Sequence, residues 1–480
     1  MTASPGPGPT GLRELLHGLA DDQPAVRVAP DTWRRGRRAH RRRVTIAAAA
    51  TAAAVGVVAV GGTALVRDVT GSPDPVGSEV APALPSDLYG VPEGFAPGRD
   101  EAGTDPWAEE VRTDTLAVGV TAAVMPVGYS GLVAVSAVDG RYRGLDLPGL
   151  WTEGLFNNEQ AGAAALSPDG TRLAYAWADR ARDATGDPTR ALRPDRSGVR
   201  VLDLTTGEVT DHPIPSDLGV QTYGFGWSPS GRWLAYGITL VTDRSGRVSG
   251  SRNYRTERLD TTTGERTRLA FQSTESPVTV SDDGVVASLG SGGRLSADAD
   301  PATDDTGRRL PLLGDGGASR LVWDADGARL ATGMQSGRLI VIGTRGRIAV
   351  ESSGFLEPED RDASSEAVHV LGWSGDDRVV VGIDNVDTLH EVDVRPGSAR
   401  DDVLQSRPLV TLHGEYGSYL APSSVSLATD LLAGPTRSYD APEWARTPVW
   451  ERPAVWLAGV VGVALLVLGS SVVRRRRARL

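Results

Sequence analysis

A short turn recurs through the middle of the chain and constrains its fold more than any other feature. Ser167-Pro168-Asp169-Gly170 precedes TRLAYAW, and Ser228-Pro229-Ser230-Gly231 precedes RWLAYGI. Looser copies stand at Ser281-Asp282-Asp283-Gly284, Asp324-Ala325-Asp326-Gly327 and Ser374-Gly375-Asp376-Asp377. An apolar residue sits directly ahead of every copy: Leu166, Trp227, Val280, Trp323 and Trp373. A unit that returns every ~45 to 60 residues marks a propeller or solenoid. The chemistry suits a tight reversal: Pro presets φ, Asp accepts hydrogen bonds from nearby backbone, and Gly takes positive φ without steric cost.

The flanks of the turn alternate as strands do, FGWSPSGRWLAYGITLV most clearly. In the better copies a second hairpin follows. Residues 199–214 and 254–271 share Leu-Asp-x-Thr-Thr-Gly-Glu between two alternating runs, and 338–350 carry a worn version. Two hairpins per repeat make a four-stranded antiparallel blade. Complete units span 163–214, 220–271, 275–313, 318–355 and 366 to about 413. Residues 115–149 supply three strands without a first one, and 423–434 supply one or two without partners. Joined, they form a composite blade that removes two open sheet edges. The expected fold is an all-β, six-bladed β-propeller over 111–434, or seven-bladed if 423–434 begins its own blade, flanked by two transmembrane α-helices.

The run SPDGTRLAYAW followed by VRVLDLTTGE resembles the repeat of TolB-type propellers, bacterial relatives of WD-repeat (WD40-like) proteins. The resemblance covers about 115–434, although no Gly-His opening or Trp-Asp closing marks a true WD repeat. The layout, with the lead-in LPSDLYGVPE at 84–93, also resembles uncharacterised membrane-anchored propeller proteins of actinomycetes. Such a resemblance implies architecture and is almost silent on activity.

Two apolar segments place the chain at a membrane. Residues 44–66 and 454–473 carry no charge, and each is long enough, at about 1.5 Å per residue, to cross a hydrocarbon core of about 30 Å. Arg41-Arg42-Arg43 resembles the flank of an export signal, but the long stretch ahead and the lack of a small-x-small cleavage site favour a retained anchor. Residues 1–43 hold nine Arg against Glu14, Asp21, Asp22 and Asp31, and the tail 474–480 holds five Arg and no acid. Each end is therefore +5, which leaves −21 between them in a chain whose total is −11. Basic flanks face the cytoplasm, so both termini are expected inside and the acidic middle outside the plasma membrane. Trp450 and Trp456 fall at the outer border of the second span, where aromatic rings favour the interface.

Residues 67–110 and 435–453 are rich in Pro, Gly, Ser and acids and read as extracellular linkers. Long polar stretches at 178–197, 296–309 and 356–366 read as loops able to carry binding residues. The chain has no Cys, hence no disulfide and no thiolate metal site. An exterior of −21 argues against nucleic acid as a partner, because phosphate contacts need a basic surface.

The search for catalytic chemistry is thin. His17, His40, His212, His369, His390 and His413 show no metal-ligand spacing, although His369 and His390 fall on strands of one blade and could face each other. Asp298, Asp300, Asp304 and Asp305 form an acidic loop without the Gly and terminal Glu of a calcium loop. Gly128-Tyr129-Ser130-Gly131 reads as a turn, and no nucleophile elbow or phosphate-binding loop is present. No catalytic, cofactor or metal residue is assigned and no cofactor is expected. Ligand-binding residues stay open.

Leu12, Leu15, Leu16 and Leu19 share one face of a short helix. Beside Arg34–Arg43 that helix rests on anionic lipid or docks a cytoplasmic protein, such as a sigma factor. The expected role is a noncatalytic, membrane-anchored extracytoplasmic module that binds a protein, peptide or envelope ligand and has a sensing capacity. The alternatives are a transmembrane regulator acting through 1–43 and an envelope scaffold.

Overall fold

The computed structural model describes residues 80–92, 111, 113, 115–127, 131–151, 164–182, 188–241, 254–269, 278–290, 294–298, 318–343, 348–352, 366–396, 404–414, 420 and 422–445. The chain divides into Met1–Glu79 and Val80–Leu480, and every described residue belongs to the second unit. The segments expected to span the membrane, 44–66 and 454–473, lie outside the described residues, as do 1–43 and 474–480. Among the described residues no helix is long and apolar enough to cross a membrane.

The recurring turn forms as its residue types dictate. Gly170 N donates to Ser167 O at 2.9 Å, with Gly170 at φ +71°. The Ser167 hydroxyl donates to Asp169 Oδ1 at 2.5 Å and accepts Arg172 N at 2.9 Å, which closes the loop from inside. The 228–231 copy repeats the arrangement, with Gly231 N on Ser228 O at 2.8 Å. In the second hairpins Asp203 accepts the amides of Thr205 and Thr206, and Asp260 those of Thr262 and Thr263.

Each turn joins an innermost strand to its antiparallel neighbour. Four-stranded sheets are built from Ala164–Leu166, Arg172–Arg182, Pro188–Asp203 and Val209–Pro213; from Val220–Trp227, Trp233–Leu240, Tyr254–Asp260 and Arg266–Arg268; and from Ala318–Trp323, Arg329–Met334, Leu339–Gly343 and Ile348–Ser352. Val278–Val280, Val286–Gly290 and Arg294–Asp298 form a sheet of three described strands. Val368–Trp373, Arg378–Ile383, Thr388–Asp393 and Ser406–His413 form another, extended by a fifth strand from far upstream. The last sheet is composite: Ser426–Leu427 pairs with Thr121–Val127, followed by Gly131–Ser136 and Tyr142–Leu145. The described residues thus show an all-β propeller with five complete blades.

Adjacent sheets bury apolar faces against each other. Leu132, Ala134 and Leu145 of the composite blade pack with Leu166, Leu173, Tyr175, Trp177 and Leu202 of the 164–213 blade. Polar groups secure the same boundaries near the turns. Arg172 reaches the next blade, donating to Gly231 O at 2.8 Å, with its guanidinium 5.1 Å from the Trp227 ring centroid. Arg329 repeats this with Asp377 at 3.0 Å and the Trp373 ring at 4.8 Å.

Several stretches differ from expectation, among them 296–298, read as the start of a loop but closing the strand Arg294–Asp298. Residues 178–197, read as a loop, mostly continue the hairpin, with Arg180 paired to Leu192 and Arg182 to Pro188. Their polar sequence hid the strands because neither face is apolar. Residues 84–89 and 436–437 fall within the stretches read as linkers, yet both are strands. Leu84–Pro85 pairs in parallel with Thr436–Arg437, and Asp87–Tyr89 in parallel with Thr411–His413. The cause is apolar anchoring: Leu84 and Leu88 are fully buried, and Trp444 packs edge-on to Tyr142 at 5.2 Å.

Candidate functional site: the central channel

The innermost strand of each of the six sheets of three or more strands lines one cavity of about 160 Å³. Its wall includes Ala164–Leu166, Gly224–Trp227, Val278–Thr279, Arg320–Trp323, Leu371 and Trp373, and Ser426–Leu427. Three of these strands break register in the middle: between Tyr223 and Gly226, between Ala318 and Arg320, and between Val370 and Gly372. A bulge re-aims the side chains beside it, and here Gly224, Phe225 and Leu371 are the inserted residues that line the cavity. Gly226 is required for closeness, since a Cβ there would lie 2.2 Å from Val278 O on the neighbouring sheet.

The pre-turn tryptophans cross between inner strands. Trp227 Nε1 donates to Ala165 O at 2.9 Å, and Trp373 Nε1 to Val322 O at 3.1 Å. Trp323 holds the same place in its repeat, but its buried Nε1 has no acceptor among the described residues.

Arg320 is the cation of this wall. Nη1 donates to Val425 O at 3.0 Å and Nη2 to Ser423 O at 3.5 Å, across the channel on the closing segment. It forms no ion pair with a carboxylate among the described residues, and desolvation alone lowers its pKa to about 10, so it stays charged at neutral pH. Toward the turns the lining becomes acidic. Asp430 is pushed up from the usual carboxylate range by burial and by Asp169 and Asp282. Burial also works to raise Asp169, but hydrogen bonds from Ser167 and Thr171 outweigh it and hold the group low. Asp282 accepts the amide and hydroxyl of Ser230 at 2.8 and 2.6 Å.

The residues singled out in sequence are not gathered here. His369 and His390 lie on strands separated by Arg378–Ile383, so they are not cross-strand neighbours as the sequence had allowed. His369 instead meets Asp384 at 3.0 Å. His413 pairs with Asp87 at 2.9 Å and stacks on Tyr89 at 4.5 Å, joining the lead-in strand to the 368–413 blade. His212 is held below its usual pKa by burial and by Arg266. His17, His40, Asp300, Asp304, Asp305 and Gly128–Ser130 lie outside the described residues, and of Asp298 only the backbone is described. Among the described residues no group of three or more His, Asp or Glu is placed to hold a metal. Arg320, Trp323 and Asp430 were not anticipated as a set. One signal existed: three residues before the pre-turn position stand Ala163, Gly224, Pro277 and Val370 in the other repeats, and only here an Arg.

No protein-family model matches the chain, and no curated protein matches it. Among solved structures, a β-propeller domain from Myceliophteria thermophila is 17% identical, covering 52% of this chain and 71% of that one at a TM-score of 0.33. A mitotic checkpoint complex chain is 12% identical over 58% of this chain and 85% of its own, TM-score 0.32. An uncharacterised protein from Listeria monocytogenes is 11% identical over 70% and 96%, TM-score 0.37. These are distant likenesses, and the propeller assignment rests on the sheets themselves.

Proposed function

We propose that this chain is a membrane-anchored, extracytoplasmic TolB-type propeller that acts as a noncatalytic binding module. The 278–298 sheet is its sixth blade. The observation that carries the reading is the closed ring: residues 426–427 complete a sheet begun at 121–127, gathering the turns around one acidic mouth. A channel of about 160 Å³ lies below the ~300–1,000 Å³ of ordinary small-molecule sites, which favours recognition of a protein, peptide or envelope component on the turn face. Membrane anchoring is supported by the uncharged segments 44–66 and 454–473 with their Arg flanks.

Crosslinking the full chain in native membranes and mapping the crosslinked peptides tests this. Crosslinks from a discrete partner clustered at residues 167–170, 228–231, 281–284 and 429–430 support it. A purified chain that turned over peptides, glycans or esters, with loss on a point change in these turns, would refute it.

A further inference from the structure

The channel combines three features that ordinary propeller packing does not need. Arg320 carries a charge with no carboxylate partner among the described residues. Its two hydrogen bonds engage backbone carbonyls and use two of the guanidinium's five N–H donors, leaving three without a partner among the described residues. Trp323, on the same wall and 8% exposed, keeps a buried Nε1 without an acceptor. A buried donor left unmatched, as Trp323 Nε1 is, is costly unless an acceptor completes it. The surrounding wall is apolar, with Phe225, Leu321, Val322 and Leu371.

We propose that the central channel binds a small monocarboxylate, with its carboxylate on the open edge of the Arg320 guanidinium and a short apolar tail against Phe225 and Leu371. A guanidinium fork matches carboxylate and phosphate alike. Charge count decides between them. Arg320 is the single cation of the lining and Asp430 its single carboxyl, so the second negative charge of a dianion has no cation to meet and faces Asp430. Size agrees, because a cavity of this order accommodates a molecule of about benzene's dimensions. The proposal rests on reading the propeller as a binding module and names a ligand class for its channel.

The test is calorimetric titration of the detergent-solubilised full chain with acetate, butyrate and benzoate. Butyramide and benzamide serve as neutral isosteres, and inorganic phosphate as the competing oxyanion. The expected result is that butyrate or benzoate binds at least tenfold more tightly than its amide and than phosphate. Arg320→Met is expected to weaken that binding at least tenfold. If Arg320→Met fails to fold, the contrast between carboxylate and amide in the unaltered chain decides, read also as a ligand-dependent rise in melting temperature. Equal binding of acid and amide, tighter binding of phosphate, no carboxylate binding, or an unaffected folded Arg320→Met would each overturn it. Partner crosslinks at the turns without carboxylate binding would sink this inference alone and leave the module reading standing.

Discussion

Single residues in this propeller act at the boundaries between blades more than within them. Gly226 allows the 220–268 blade to approach Val278 O, where a Cβ would sit at 2.2 Å, whereas at Gly434 the nearest atom to an added Cβ is 3.4 Å away. Gly226→Ala should therefore cost about 1–3 kcal/mol of overpacking, and Gly434→Ala should be near neutral; denaturant midpoints of the two variants check the contrast. Asp260 offers a pH prediction. Burial would raise its pKa, but the Arg232 guanidinium at 2.7 Å and the amides of Thr262 and Thr263 hold it at about 2. A depressed folded-state pKa gives stability that is complete above the ordinary carboxylate value of about 4 and is lost as pH falls toward 2. Asp260→Asn should lower stability at neutral pH and flatten the decline between about pH 4 and pH 2. Denaturation midpoints measured across that window would show no change in slope if Asp260 contributes nothing.

Among the strands, the short ones at the chain's ends matter most. Asp87–Tyr89 is only a three-residue strand, but it pairs in parallel along Thr411–His413 and is clamped by the Asp87–His413 contact, while Tyr89 N donates to Tyr142 Oη at 2.7 Å. Leu88 between them is fully buried in the cluster that also holds Leu84, Leu412, Leu427 and Trp444. Leu88→Ala should cost about 2–5 kcal/mol, the usual range for a buried leucine cut back in a close-packed core. A loss below 1 kcal/mol in urea melts would mean that the lead-in strand is a tether, as its composition suggested, and not part of the fold.

For the molecule as a whole, closure depends on pairing residues about 300 positions apart in sequence, Ser426 with Val124 and Leu427 with Ala123. Arg320 adds bonds to the same closing segment from across the channel. A ring fastened by one short strand leaves an open edge on Thr121–Val127 when that strand is absent, and unpaired edges invite aggregation. Truncation after Gly414 should therefore abolish the single cooperative calorimetric transition and drive the protein into high-mass species on size-exclusion chromatography. A truncated chain that stayed monomeric with one sharp transition would show that the remaining blades suffice.

Five of the blades and the turn positions were legible in the linear pattern, because period-2 alternation and Ser-Pro-Asp-Gly chemistry act over a few neighbouring residues. Even the composite sheet was visible, as a missing strand at one end and a spare one at the other. Residues 84–89 and 436–437 were not, since two- and three-residue strands among Pro and Ser carry no periodicity and take their order from Leu84, Leu88 and Trp444 finding distant partners. The channel was hidden for the same reason. Arg320 is conspicuous in sequence only once the repeats are aligned, and whether it met a carboxylate, a carbonyl or open space depended on which inner strands the ring placed opposite it.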